Sequence, residues 1–428
     1  MKTTVWRLKK GSDRRFRTGH PWVYSNELAV SPKGLEPGAP VELQDPGGAF
    51  LARGYGNPAS LIAFRVVSRD PEVVDPLAPE ALGPMLETAA EFRRAQGLSA
   101  ASHRLFFAEA DGFPGLIIDR YRIAGGGTVF SIQAHTAGAD RILASLPPLL
   151  ESLVDPVDKG RFGLIIRNDV GIRKLEGISE EPARVVRELK GVDLSQARIL
   201  AQPALGNEPI EFVTDLLEGQ KTGFFLDQWA NVQLAARRLS GLRPKDGKRL
   251  RILDLCCYVG QWSAQLSAAF RAQGVAVDVL AVDASAKALE LAKRNIEKQG
   301  AVCETVKADV LKDLATLPDS SFDIVIADPP ALIKGRKDVA SGAHAYLQLN
   351  TQVFRLVRPG GGVVCCSCSA LFEEERFLET LAKAANRSRA RARWIARGGQ
   401  APDHPVLAEF PEGRYLKAWI GISARGNA

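Results

Sequence analysis

The chain has 428 residues, 46% hydrophobic and 25% charged, and a formal net charge of +7. That length suits two to four globular domains, and the basic excess suits nucleic acid as a partner without requiring it. No apolar run is long enough to span a bilayer. The start, Met1 to Lys10, lacks the apolar core and small-residue cleavage site of a signal peptide, so the cytosol is the expected compartment.

Residues 1–74 read as a small β-rich domain, with short runs such as Pro40–Leu43 and Leu61–Val67 set between Gly and Pro punctuation. Its start is basic: Lys2, Arg7, Lys9, Lys10, Arg14, Arg15 and Arg17 stand against Asp13. Gly19-His-Pro-Trp-Val-Tyr-Ser-Asn-Glu27 follows. Basic side chains beside aromatics suit RNA, whose phosphates meet charge and whose unstacked bases meet rings; a solvated arm beside core aromatics is the plainer alternative. A Pro-rich linker, Pro71–Pro79, leads to a helix predicted over Pro84–Gln96. Strands are predicted at Leu105–Ala110, Gly115–Asp119, Val129–Gln133 and Gly163–Arg167, and a helix at Thr136–Leu146, interrupted at Pro147-Pro148. These elements make an α+β domain over residues 75–190.

The third domain is placed at residues 191–428, and from Ile199 the pattern changes. Glu211–Leu216 and Lys221–Gln228 flank Gly219 and read as a hairpin leading into a helix at Gln228–Leu239. Arg243-Pro-Lys-Asp-Gly-Lys-Arg249 is a polar turn. Strands at Arg251–Cys257, Asp278–Asp283, Cys303–Ala308, Phe322–Ala327 and Gly362–Cys368 then alternate with helices at Ser263–Gln273, Ala286–Gln299, Leu311–Leu317, Ala343–Val357 and Glu373–Ala385. Such alternation implies a mostly parallel α/β sheet with helices on both faces and a ligand at the carboxyl ends of the strands.

The first strand and its turn, Arg251-Ile-Leu-Asp-Leu-Cys-Cys-Tyr-Val-Gly-Gln-Trp262, limit the ligand. A dinucleotide needs G-x-G-x-x-G here; only Gly260 is present. That favours S-adenosylmethionine, which has ribose and adenine but no phosphate. Asp254 lies inside the first strand. Asp283, ending the second, suits a ribose diol, and Asp309, closing the third, could meet an adenine amino group. In Asp328-Pro-Pro-Ala331 the prolines stiffen a turn that holds the carboxylate at the sheet edge, where it could grip the edge of a flipped base. Ala331, where an aromatic residue would suit exocyclic amines, argues against that chemistry.

All six cysteines, Cys256, Cys257, Cys303, Cys365, Cys366 and Cys368, lie beyond residue 250. A disulfide framework is not expected in a cytosolic chain, nor is zinc, because the Cys365–Cys368 spacing has no second pair. Methylating carbon 5 of a pyrimidine needs a thiolate to add at carbon 6 first. Cys368 is nearest the carboxyl end of its strand; Cys365 and Cys366 read as core. The proton-removing base is open among Glu211, Glu218, Asp328 and water.

These residues resemble the PUA-domain class I methyltransferases that make 5-methylcytidine in 23S ribosomal RNA. The likeness runs through His20-Pro-Trp-Val-Tyr-Ser, Leu51-Ala-Arg-Gly-Tyr-Gly-Asn-Pro-Ala-Ser, Ala110–Tyr121, Gly219-Gln-Lys-Thr-Gly-Phe-Phe-Leu-Asp-Gln228, Asp328-Pro-Pro, Ser367-Cys-Ser, Asp403-His-Pro405 and Pro411–Lys417. It implies a PUA domain, a central α+β domain and a Rossmann-like methyltransferase domain. It implies Cys368 as nucleophile, and cofactor contacts from Phe225, Asp227, Gln228, the turn ending at Gly260, Asp283, Asp309 and Asp328. Asp254 and Tyr258 belong to that turn as packing and cofactor contacts. Members usually carry Asn at the place of Asp254, a Ser-Tyr-Thr-Gly-Gly run and a Lys after the two prolines; here the run is Cys257-Tyr-Val-Gly-Gln261 and the residue is Ala331. The expected partners are 23S ribosomal RNA and, as an option, a second copy of the chain; a membrane is not among them.

Other readings stay open on the residues alone. One is a thiol-independent ribosomal RNA methyltransferase, for example on guanine; another is a non-catalytic ribosome-assembly binder. Arg389, Arg391 and Arg393 alternate along a strand-like run and form either an RNA-facing comb or a solvated face. His404 is expected to be a structural hydrogen-bonding residue.

Overall fold

The computed structural model describes residues 4–158, 160–244 and 247–425. Lys2 of the basic arm, and Lys245 and Asp246 of the turn before the central strand, lie outside the described residues. The chain divides into two compact units. One comprises residues 1–200, 215–226 and 402–413; the other comprises 201–214, 227–401 and 414–428.

The first unit begins with β1 (Thr4–Arg7), α1 (Arg14–Arg17), β2 (Trp22–Tyr24), β3 (Ala39–Gln44), β4 (Phe50–Gly56) and β5 (Ile62–Ser68), which make a sheet of order β1-β3-β4-β5-β2. The helix α2 then runs Pro79–Ala95, five residues earlier than the sequence implied. Pro79 occupies the first turn, and the Ala78 carbonyl accepts the N–H groups of Ala81 and Leu82. Pro84 sits one turn in, where it has no N–H to give the Glu80 carbonyl.

A second sheet, β10-β9-β8-β7-β6, is built from β6 (His103–Phe107), β7 (Leu116–Arg122), β8 (Thr128–Ala134), β9 (Phe162–Ile166) and β10 (Arg184–Arg187). The helices α3 (Ala137–Arg141), α4 (Leu146–Glu151) and α5 (Ile172–Leu175) lie between its strands in the chain. Within this unit Tyr55 joins the two sheets: its hydroxyl donates to the Pro114 carbonyl at 2.6 Å and lies 2.9 Å from Thr136 Oγ1. Arg65 and Glu176 add a buried two-pronged ion pair at 2.7 and 3.2 Å. His20 and Trp22, read as rings open to RNA or as core, are packed: both meet Phe410 edge-on, and Trp22 Nε1 donates to Glu109 at 2.8 Å. His404 is buried with Nδ1 3.1 Å from Asp403 Oδ1, a structural setting.

The hairpin expected across Gly219 does not form. After β11 (Ala197–Ala201), β12 (Ile210–Thr214) is a strand, but residues 221–225 are not. Asp215 Oδ1 accepts the N–H groups of Leu217 and Glu218, Lys221 takes φ 53° and Gly223 φ 121°. A Cβ on Gly223 would lie 2.8 Å from the Asp215 carbonyl oxygen, so the segment folds back on itself rather than extending.

The second unit continues with α6 (Trp229–Leu239), β13 (Leu250–Leu255), α7 (Gln261–Arg271), β14 (Val277–Asp283), α8 (Ala286–Lys298), β15 (Val302–Lys307), β16 (Phe322–Ala327), α9 (Val339–Leu356), β17 (Val357–Ser367), α10 (Glu374–Arg387), β18 (Ala390–Gly398) and β19 (Lys417–Arg425). The seven-stranded sheet has the order β15-β14-β13-β16-β17-β19-β18. The first five strands are parallel; β19 and β18 are antiparallel. Buried on both faces, the central strands read as unbroken apolar runs, such as Ile324-Val-Ile326 and Val363-Val-Cys365. The helix α8 starts where the Ser285 side chain accepts the Ala288 N–H at 3.2 Å. It buries Ala288, Ala292 and Ile296 at four-residue spacing. The edge strand β18 alternates, with Arg391, Arg393 and Arg397 exposed; Arg389 precedes it at φ 50°. Among the described residues no helix is long and apolar enough to cross a membrane.

Asn295 ties three chain segments of this unit together. It accepts the Val213 N–H at 2.8 Å and donates to the carbonyls of Val213 (3.0 Å) and Val259 (2.9 Å) from a buried position. Asn295→Ala strands those groups without partners and is expected to cost about 2–3 kcal/mol, read as a lower urea midpoint than the parent chain.

Candidate active site

The strand order reverses at β13, which has β14 on one side and β16 on the other. Ligands of such sheets bind outside the carboxyl ends at this point. Leu255 pairs with Val282 and with Ala327, and Ala327 pairs with Cys365. Asp283, Asp328 and Cys368 therefore leave their strands at one edge.

Asp254 is fully buried one residue before the end of β13. Its Oδ2 accepts both the hydroxyl and, at 3.3 Å, the backbone N–H of Ser263 in the first turn of α7. Its Oδ1 has no partner among the described residues. Burial pushes the carboxyl up to about 7; the Ser263 bonds pull it down, and Asp328 and Asp283 push it up again.

The turn after β13 is tight. Cys256 (φ 61°), Tyr258 (φ 48°) and Gly260 (φ 77°) are left-handed. The non-glycine residues are held there by bonds from Cys257 N to the Val282 carbonyl and from Tyr258 N to Asp283 Oδ2 at 2.9 Å. A Cβ on Gly260 would stand 3.0 Å from Ile296 Cδ1 and 3.2 Å from Ala292 Cα. This glycine is thus required by the close approach of α8.

Asp283 is buried, with Oδ1 accepting from Ser285 N and Oδ2 from Tyr258 N, both at 2.9 Å. Each oxygen keeps a further acceptor site. Asp328 Oδ2 accepts Gln228 Nε2 at 2.8 Å and Trp262 Nε1 at 3.0 Å, and Gln228 is itself held by Asn231 at 2.6 Å. Asp227 accepts the Tyr415 hydroxyl at 2.6 Å. The structure thus brings together Gln228, Asp254, Tyr258, Asp283 and Asp328.

Asp309 stands further out, half-exposed and ion-paired to Lys312 at 2.8 Å, whose bond holds it below the usual carboxylate range. Phe225 belongs to the other unit, where the Lys221 ammonium lies 4.4 Å from its ring centre. Of the base candidates, Glu211 is engaged by Lys298 at 2.5 Å, and Glu218 lies in the first unit. Sequence reasoning missed Trp262, Ser263 and Asn231. Trp262 stood in the quoted turn, and its ring N–H beside three carboxylates was the available signal.

The cysteines divide cleanly. Burial pushes the thiols of Cys257, Cys303, Cys365 and Cys366 upward. Cys256 is pushed up by burial and then by Asp283, Asp328 and Asp254. Cys368 is half-buried in the turn after β17, its Sγ 3.7 Å from the Pro329 carbonyl.

The donor set suits a particular ligand chemistry. Carboxylates repel phosphate and accept hydrogen bonds from hydroxyl and ammonium groups. The unpartnered Asp254 oxygen and the remaining acceptor sites of Asp283 therefore fit a ligand with a ribose diol and an amine, and no pyrophosphate.

Asp254 also makes a pH signature. Its carboxyl titrates near 3.8 unfolded and near 7 folded. Between these values only the unfolded chain releases the proton, so this group's contribution to stability falls as pH rises through that window and is fully lost above it. Asp254→Asn is expected to flatten the slope. It should be more stable than the parent by on the order of 2 kcal/mol at pH 8, and not at pH 4, in urea titrations at both pH values without ligand.

Comparisons agree with this geometry. Residues 7–69 match a family described as a PUA-like domain, and residues 252–361 match a methyltransferase domain. The ribosomal RNA large subunit methyltransferase I of Escherichia coli (strain K12) is 30% identical over 419 residues, covering 96% of this chain and 97% of the relative. The protein of that name from Escherichia coli O157:H7 matches equally. Among solved structures, SMU.776 in complex with SAH superposes with a TM-score of 0.71 at 18% identity, over 99% of this chain and 100% of that one. A chain from Streptococcus mutans described as SAM-dependent gives 0.71 at 17%, over 98% and 100%. At that identity the structures speak for the fold, a Rossmann-like methyltransferase sheet behind a β-rich PUA-like sheet. By sequence, the chain belongs to the ribosomal RNA large subunit methyltransferase I family.

Proposed function

We propose that the chain methylates carbon 5 of a cytidine in 23S ribosomal RNA, with Cys368 as covalent nucleophile. Its methyl donor is S-adenosylmethionine. The observation that carries the reading is the place of Cys368: it directly follows β17, half-buried, with Sγ 3.7 Å from the carbonyl of Pro329 in the Asp328-Pro-Pro turn. The 23S substrate is supported by the similarity to relatives named for large-subunit ribosomal RNA. The PUA-like domain, drawn at residues 1–74, is the RNA-holding module in this reading.

When bound, S-adenosylmethionine supplies an electrophilic methyl group. Asp283 would hold the ribose hydroxyls, Asp254 the amino group, and Tyr258 and Gly260 the wall beside them. Cys368 Sγ adds to carbon 6 of the cytosine, and the electron pair moves to carbon 5, which becomes the nucleophile. Asp328, tied to Gln228 and Trp262, stands at the same strand edge and is the candidate to hold the base edge and to take the carbon-5 proton. Loss of that proton re-forms the double bond and expels the thiolate.

RNA carrying 5-azacytidine tests the covalent step. The parent chain is expected to give an adduct that survives denaturing electrophoresis, and Cys368→Ser none. An adduct that survives the substitution overturns the role of Cys368; no adduct with the parent chain points to a thiol-independent enzyme. For the donor, Asp283→Ala is expected to weaken S-adenosylmethionine binding by about tenfold or more in calorimetry.

A further inference from the structure

The antiparallel partner of β17 carries a lysine that the reading above leaves idle. Lys417 opens β19 and pairs with Ser367, so its side chain lies beside the turn that holds Cys368. It is 8% exposed. Its Nζ donates to the Ser369 carbonyl at 2.6 Å, and the same carbonyl accepts the Phe372 N–H at 3.0 Å. Among the described residues Lys417 makes no ion pair. Burying an ammonium costs several kcal/mol unless an anion or a set of acceptors offsets it, and one carbonyl accounts for one of three N–H donors.

The groups around it are few. Glu374, at the start of α10, acts on Lys417 from beyond ion-pair distance; its Oε2 is taken by Arg397 of β18, and its Oε1 is buried with no hydrogen-bond partner among the described residues. Tyr346 of α9 is neutral, its phenol pushed up to about 12 by burial and its hydroxyl 3.0 Å from Ser369 Oγ. Asp328, after β16, is engaged by Gln228 and Trp262. Cys368 is the other group that acts on the ammonium, ahead of Glu374. We propose that Lys417 is a positioning residue for methyl transfer: its buried charge holds Cys368 as a thiolate, and its bond to Ser369 fixes the turn that aims the sulfur. This rests on Cys368 being the nucleophile.

Two further observations agree. Burial brings the Lys417 ammonium down to about 8, while Cys368 and Glu374 act to retain its charge, as expected of a cation whose missing partner is the thiolate. The proton released by the thiol goes to solvent and the ammonium stays charged, so the step consumes nothing. Cys256, by contrast, is pushed up by burial and then by the carboxylates of Asp283, Asp328 and Asp254, with no cation among these causes, whereas Cys368 and Lys417 act on each other.

The test is the pH dependence of Cys368 alkylation by iodoacetamide in the full-length chain, followed on the Cys368 peptide by mass spectrometry. Lys417→Gln keeps an N–H donor for the Ser369 carbonyl and loses the charge. It is expected to raise the midpoint by about one pH unit, a roughly tenfold loss of thiolate below it, and to lower single-turnover methylation similarly at pH 7. Lys417→Arg is expected to hold the parent midpoint. An unmoved midpoint in Lys417→Gln, or a Lys417→Arg midpoint that follows it, overturns the proposal. If Lys417→Gln does not fold, the parent midpoint decides: a value at or above that of a free cysteine peptide overturns it, and a lower one supports it. Failure of the covalent reading shows separately, as methylation that survives Cys368→Ser while the Lys417 effect on alkylation remains.

Discussion

The site depends on one constraint, the parallel register on either side of β13. Leu255 faces Val282 and Ala327, and Ala327 faces Cys365. Because each strand leaves the sheet within a residue or two of these pairs, the groups that follow come out at one edge. A parallel ladder allows no two-residue slip without moving buried Ile324, Val325 and Ile326 out of register with the helices that cover them. The carboxylates are therefore fixed by the apolar core beneath them. Gly260 shows the same dependence: α8 comes so close to its left-handed turn that a Cβ there would stand 3.0 Å from Ile296 Cδ1.

Charge is what distinguishes chemically similar residues within that edge. Cys256 and Cys368 are both half-buried thiols, and exposure alone does not choose between them. Cys256 lies among Asp254, Asp283 and Asp328, which oppose its ionisation. Cys368 lies with its Sγ 3.7 Å from the Pro329 carbonyl, and β19 brings Lys417 to the same turn. Asp254, Asp283 and Asp328 act together on Cys256, and Lys417 is the basic group that acts with Cys368.

Much of this was legible in the sequence. The strand and helix alternation beyond residue 250 follows from apolar runs and their caps, and Phe322–Ala327 forms where the pattern placed it. Asp283 alone was a weak signal, since many strands end in Asp; it gained weight from Asp309 and Asp328 closing the next strands. The segment 221–228 was misread because its apolar Phe224-Phe-Leu226 resembles a strand, while the conformation is set by Lys221 and Gly223 at positive φ. Helix α2 starts early because proline in a first turn and proline in a linker look alike in composition. Lys417 was not legible as a site residue: it meets Ser369 from 48 positions away, across the β17–β19 ladder.

The departure at Asp254 is also less abrupt than its charge suggests. Members of the family usually carry Asn there, and a carboxylate in a buried position would be costly. But burial raises this carboxyl to about 7, so near neutral pH the group spends much of its time protonated. A protonated carboxyl has the shape of a side-chain amide, one oxygen that accepts and one arm that donates. The accepting oxygen is already used by Ser263, as an amide oxygen would be. The other arm, Oδ1, faces a place with no protein partner, and there the two side chains differ. An amide can only donate from that arm, whereas the carboxyl can donate when neutral or accept when ionised. A bound amine would favour the ionised form and lower the pKa in proportion to its own affinity, making donor binding in this chain more pH-dependent than Asn at the same position would allow.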